Sequence, residues 1–137
     1  MKIPYSKIKS KSKNFDYFFR PMINVVLING TKSRTQKGLI DSGADYTLLS
    51  SSIAKDLGIN YKLGIHDVTL GIENRPLTTY YCELEIAIPG IDNSNFTSLV
   101  GFVESGSVGI LLGQKGFFDK FNIKFSKQNN YFEIDPF

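Results

Sequence analysis

Apolar and polar positions alternate with period two at Cys82 to Ile88 and at Phe121 to Phe125, which is the signature of half-buried strands, and other segments are short apolar runs between turn residues. After Pro21 comes Met22-Ile23-Asn24-Val25-Val26-Leu27-Ile28, a β-branched run that reads as a strand. Asn29-Gly30 then marks a tight turn, and polar Thr31 to Gln36 leads into a partner strand ending at Lys37-Gly38-Leu39-Ile40. Val68-Thr69-Leu70-Gly71, a turn near Glu73-Asn74-Arg75-Pro76 and the stretch Thr78 to Ile88 form a long hairpin with Cys82, Leu84, Ile86 and Ile88 on one face. Phe96 to Val103 is a further strand after the turn signals Pro89-Gly90 and Asp92-Asn93-Ser94-Asn95. Gly109-Ile110-Leu111-Leu112-Gly113 is short, apolar throughout and bounded by glycines, as a strand buried on both faces would be. Phe121 to Phe125 and Tyr131 to Ile134, joined by Gln128-Asn129-Asn130, close the chain as a hairpin.

Two segments read as helix. Ser50 to Gly58 offers a serine N-cap, apolar Ile53, Ala54 and Leu57, and a terminal glycine. Gln114 to Phe121 places Phe117, Phe118 and Phe121 where a second short helix would turn them to the core. The pattern therefore predicts an all-β barrel with two small helices.

Composition bounds what such a fold can do. The chain has 137 residues, enough for one domain, and its 42% hydrophobic and 21% charged residues describe a globular protein. Its net charge of +3 is unevenly placed. Residues 1 to 13 hold five lysines and no acid, so the rest carries eleven basic against thirteen acidic residues. Residues 1–14 are expected to form a basic, flexible tail and residues 15–137 the folded domain, with nucleic acid not expected as a partner. One cysteine and one histidine exclude an intramolecular disulfide and a Cys/His zinc cluster, so neither a metal nor a cofactor is expected. No apolar run approaches membrane-span length and no signal peptide precedes the domain, which points to a cytoplasmic protein with no membrane partner. Cys82 is in phase with core positions, and His66 stands alone without a nucleophile elbow.

The chemistry concentrates at Gly38-Leu39-Ile40-Asp41-Ser42-Gly43-Ala44-Asp45-Tyr46-Thr47-Leu48-Leu49. An apolar strand delivers Asp41 into a tight turn, where Ser42, Gly43 and Ala44 can supply hydroxyl and amide donors to offset desolvation of the carboxylate. Asp-Ser-Gly alone also occurs in ordinary turns.

Leu39-Ile40-Asp41-Ser42-Gly43-Ala44 resembles the signature of the retropepsin-like aspartic proteases, and Asp45, Thr47, Leu48 and Leu49 continue the resemblance. Gly109 to Gly113 is similar to the family's downstream apolar strand and glycine, so two blocks match in order across roughly residues 17 to 134. The resemblance implies a closed β-barrel of the acid-protease fold, one lobe per chain, and an aspartic endopeptidase with Asp41 as its catalytic carboxylate. Aspartic proteolysis needs two facing carboxylates that share a proton. Glu104-Ser105-Gly106-Ser107 does not qualify as the second, because it lies too close to Gly113. The resemblance therefore implies a homodimer that pairs Asp41 with its two-fold mate and cleaves a peptide or protein substrate.

By the same resemblance Ser42 and Gly43 support the dyad, while Ala44, Asp45, Gly71, Ile72 and Ile110 contact substrate. The hairpin around Gly71 to Pro76 sits where the family places a flap that closes over substrate. Two departures stand out: the hairpin tip is poor in glycine, and Gln114 replaces the arginine that many viral members place after the glycine. They motivate an alternative reading, a non-catalytic dimerisation or peptide-binding module. A third reading is an adaptor whose basic tail meets an anionic partner.

Overall fold

The computed structural model describes residues 1–70, 74–104 and 109–137. Among the described residues the strands are, in chain order, β1 (Lys2–Pro4), β2 (Ser6–Lys9), β3 (Tyr17–Arg20), β4 (Met22–Asn29), β5 (Lys32–Ile40), β6 (Leu48–Ser50), β7 (Ile65–Leu70), β8 (Pro76–Ala87), β9 (Phe96–Val103), β10 (Ile110–Leu112), β11 (Phe121–Ser126) and β12 (Tyr131–Pro136). One α-helix, α1 (Ser51–Asp56), occurs among the described residues.

Seven strands share one sheet in the order β4-β5-β10-β6-β9-β8-β7, and a further pairing of β4 with β8 brings the sheet back on itself. The circuit is uneven. β4 and β5 pair along their whole hairpin, from Met22–Leu39 to Asn29–Lys32, whereas β10 meets β5 and β6 through two residue pairs each. In place of the regular closed barrel expected, strands only three residues long make the ring lopsided at β6 and β10.

The alternation expected of β4 is present, with Ile23, Val25 and Leu27 buried and Asn24 exposed. These side chains join Leu49, Ile53, Leu84, Ile86, Phe102, Phe117, Phe132 and Ile134 in one core. Phe102, Phe117 and Phe132 are fully buried, and each such burial stabilises the fold by about 1.5–3 kcal/mol. Helix α1 turns Ile53 and Ala54 into this core. Ser50 is its N-cap by backbone angle, but the hydroxyl shares a hydrogen bond with Ser52 Oγ and does not cap the helix. At the other end the Asn29 side-chain amide donates to the Leu57 carbonyl at 2.8 Å, tying the β4–β5 turn to the helix.

Two expectations are corrected. Residues 114–120 are a series of turns, not a helix. Phe118 and Asp119 donate to the carbonyls of Gly113 and Gln114, five residues back, and Gly116 has φ +93°, where a helix cannot continue. Phe117 and Phe121 still pack into the core, with ring centroids 5.2 Å apart. The N-terminal segment differs too. β1 pairs with β12 to make the three-stranded sheet β1-β12-β11, and β2 pairs with β3 as a separate ribbon. Ile3 and Tyr5 pack against the core while Lys2 lies over the Tyr131 ring at 4.0 Å, so the lysine-rich stretch alternates as a strand does.

No helix among the described residues is long and apolar enough to cross a membrane, and no cluster of three or more His, Cys, Asp or Glu that could hold a metal ion occurs among them.

Candidate active site

The two sequence blocks that share a family resemblance are neighbours in space. β10 runs parallel to β5, with Leu111 beside Leu39 and Leu112 beside Ile40, and the Asp41 N–H donates to the Leu112 carbonyl at 2.9 Å. The chain then rounds a turn closed by the Ala44 N–H on the Asp41 carbonyl and returns as β6 on the other side of β10. β10 is thus threaded between two strands that follow one another in sequence, and Asp41 stands where β5 ends.

Within that turn the Gly43 N–H donates to Asp41 Oδ1 at 3.0 Å. A Cβ on Gly43 would come within 3.3 Å of the same oxygen, so glycine gives the carboxylate room to approach the backbone. Of the three donors expected, Gly43 alone reaches the carboxylate. The Ser42 hydroxyl has no hydrogen-bond partner among the described residues, and the Ala44 amide serves the Asp41 carbonyl. Asp41 is half-buried, Ser42 and Gly43 are exposed and Ala44 is half-buried, so the turn presents its carboxylate at a surface.

The turn is clamped from behind by the segment after β10. Gln114 Nε2 donates to the Ser42 carbonyl at 2.8 Å, the Gln114 N–H to the Ala44 carbonyl at 2.8 Å, and the Lys115 N–H to the Asp45 carbonyl at 2.9 Å. Thr47 is fully buried, and its hydroxyl accepts from the Gly113 N–H at 3.1 Å. The approach is so close that a Cβ on Gly113 would lie 2.7 Å from the Ala44 carbonyl oxygen and closer still to that of Tyr46. Glycine is therefore obligatory there, and at Gln114, where the sequence departs from the family pattern, the side-chain amide holds the Asp41 turn through the Ser42 carbonyl.

The remaining site residues fall in three places. Asp45 is exposed, and its carboxylate forms no ion pair among the described residues; the Lys115 ammonium lies 6.0 Å from the Tyr46 ring centre. Ile110 is 4% exposed and belongs to the core, where it packs against Gly38 and not at a free surface of the chain. Gly71 and Ile72 lie outside the described residues. The arms that carry them do pair as a hairpin, from Ile65–Tyr81 to Leu70–Pro76.

Two things escape a reading of the sequence: the bonds made by Thr47 and Gln114, which join residues 66 and 72 positions apart, and the presence of Tyr81 beside the turn. Tyr81 packs against Tyr46 with ring centroids 5.0 Å apart and planes tilted by 58°, and its cross-strand neighbour Gly101 leaves space for the ring. Burial, followed by the nearby charges of Asp67, Tyr46 and Asp45, raises the Tyr81 hydroxyl above its ordinary 10.0. It remains a neutral phenol beside the turn.

This strand order and turn define the fold of the retropepsin-like aspartic proteases. The chain is similar to a retropepsin-like aspartic protease from Rickettsia conorii, with a TM-score of 0.65 and 18% identity over 98% of this chain and 97% of that one. It is also similar to the retroviral protease-like domain of Ddi1 from Leishmania major, with a TM-score of 0.55 and 13% identity over 84% of this chain and 89% of that domain's chain. No protein-family model and no curated protein matches the sequence.

Proposed function

We propose that this protein is an aspartic endopeptidase that acts as a homodimer, with Asp41 of each subunit forming the catalytic pair. The observation that carries this reading is the position of Asp41: it follows the buried end of β5, at Gly38 and Ile40, stands in a turn fixed by Gly43 and Gln114, and has no second Asp-Ser-Gly turn in the sequence. The end-to-end match in length to a retropepsin-like protease supports one lobe per chain.

In the dimer two like charges facing one another hold a single proton between them. The ionised carboxylate takes a proton from a water held between the pair, and the water oxygen attacks the carbonyl carbon of the peptide. The protonated partner donates to the developing oxyanion, and the departing amine leaves with a proton as the C–N bond breaks. Ala44 and Asp45 border the cleft and offer backbone and carboxylate to a substrate strand, while the hairpin bearing Gly71 and Ile72 covers it. Ser42 and Gly43 keep the carboxylate in its turn.

The test is digestion of reduced casein across pH 3 to 7 by wild type and Asp41→Asn, with and without a statine-type inhibitor, alongside sedimentation. Cleavage by a dimer that vanishes in the variant and under inhibitor is the expected result. A folded dimer without cleavage at any of these pH values would favour the peptide-binding module, and a strict monomer would remove the two-chain site altogether.

A further inference from the structure

The β2–β3 ribbon has no part in the site described above, yet it is the most unusual surface of the chain. All four residues of β3 are exposed, and three are aromatic: Tyr17 at 50%, Phe18 at 41% and Phe19 at 41%. Phe15 precedes them at 61%. The register pairs Lys9 with Tyr17 and Lys7 with Phe19. Directly opposed residues of an antiparallel pair project to the same side, and so do residues two apart on one strand. One face of the ribbon therefore carries two aromatic rings in a row with two ammonium groups in a row beside them. The Lys7 ammonium lies 4.1 Å from the centre of the Tyr17 ring. The opposite face carries Ile8 and Phe18, and with Phe15, Lys11 and Arg20 these line a groove of about 560 Å³. Residues 1 to 20 hold six basic side chains against Asp16 alone.

We propose that this ribbon binds single-stranded nucleic acid, its aromatic rings stacking on bases and its lysines neutralising the flanking phosphates. Rings two residues apart on a strand are separated by about 6.6–6.8 Å, close to the spacing of neighbouring bases in an extended, unstacked strand. Stacking requires a base whose face is free, which a duplex withholds and a single strand offers. The placement of charge beside ring, repeated twice in register, supplies a cation for each stacked nucleotide.

Other occupants fit less well. The hairpin end is Ser10-Lys11-Ser12-Lys13-Asn14, too polar to enter hydrocarbon tip-first. A second copy docked face to face through the same ribbon would set lysine against lysine. This proposal departs from the expectation drawn from charge alone, because a solvated tail presents no platform and a paired ribbon does.

The test is fluorescence anisotropy of labelled oligothymidylate and oligouridylate titrated with the full chain over a range of salt. Five cations, Lys7, Lys9, Lys11, Lys13 and Arg20, predict a slope of log K against log salt of up to about −3.5, and Lys7→Gln with Lys9→Gln should make it shallower by about 1.4. Tyr17→Ala and Phe19→Ala should each weaken binding at least about fivefold with the salt slope unchanged. These side chains are exposed, so an unaltered urea midpoint confirms that the variants fold. Absence of binding at low salt overturns the proposal. So does binding that the aromatic substitutions leave intact, which would be polyelectrolyte attraction only. Ribbon-dependent cosedimentation with phosphatidylserine vesicles without oligonucleotide binding, or loss of a dimer in the ribbon variants, would reassign the surface to a membrane or to a second copy. The oligonucleotide readouts do not depend on casein cleavage, so this proposal and the peptidase reading stand or fall separately.

Discussion

Gly113→Ala is the sharpest test of how the Asp41 turn is held. The added methyl carbon would sit 2.6 Å from the Tyr46 carbonyl carbon and 2.7 Å from the Ala44 carbonyl oxygen. Both are backbone atoms in the clamped turn and cannot swing aside as a flexible side chain would. Relief requires the two segments to separate, which stretches the bonds from the Gly113 N–H to Thr47 Oγ1, from the Gln114 N–H to Ala44 and from the Lys115 N–H to Asp45. Overpacking costs about 1–3 kcal/mol, and losing one to two bonds' worth of hydrogen bonding across the three stretched contacts adds about 1–2 kcal/mol, so a loss of about 2–5 kcal/mol is expected. At a slope of about 2 kcal/mol/M a loss of 3 kcal/mol lowers the urea midpoint by roughly 1.5 M. The assay is urea unfolding followed by far-UV circular dichroism at fixed protein concentration, because dimerisation would shift apparent stability. Gly109→Ala is the control: the nearest described atom to its new carbon is Gln36 Nε2 at 3.9 Å, and it should stay within about 0.5 kcal/mol of wild type. If Gly113→Ala matches the control, the close approach of the two segments is not what holds the turn.

Thr47→Val keeps the shape of a fully buried side chain but strands the Gly113 N–H, and chemical denaturation should show a loss of about 1–3 kcal/mol that Thr47→Ser largely avoids. Burial raises the hydroxyl of Tyr5 and, together with the charges around it, that of Tyr81, so both hold their protons more tightly folded than unfolded. Their contribution is intact below the ordinary value of 10.0 and is lost as pH rises beyond it. The urea midpoint should fall between pH 9 and 11, less steeply in Tyr81→Phe, and a flat profile would contradict the burial. Burial likewise raises the Cys82 thiol above 9.0, and its sulfur donates to the Tyr61 carbonyl, so a disulfide reagent at pH 8 should label the unfolded chain rapidly and the native chain slowly.

Local rules account for much of this protein. Asn29-Gly30 sets the β4–β5 hairpin, with Gly30 at φ +61°, because few residues other than glycine adopt that conformation without strain. Period-two alternation identifies β4, β8 and β12, since one side of each strand meets the core and the other faces outward. Ser50 to Gly58 yields α1 from its apolar spacing, although the serine cap bond does not form. The apolar run ending in Asp41 marks the candidate site for the same reason: burial and a tight turn are written in neighbouring residues.

What only the tertiary structure decided depends on residues far apart in the chain. Insertion of β10 between β5 and β6 turns Gln114 from a missing arginine into the donor that holds the Ser42 carbonyl, and gives Thr47 a buried amide to accept from. Residues 114–121 have a helical spacing of phenylalanines, but the backbone bonds to Ala44 and Asp45 outcompete local helix formation, and Gly116 leaves the helical region. The first nine residues look like a charged tail when their charge is summed. They become β1 and β2 because β12 and β3 offer strand edges to pair with, and aromatic rings on which lysine stems can lie. Propensity and pattern act over a few residues and are legible in order; pairing partners lie a chain's length away, and only folding brings their donors, acceptors and rings within reach.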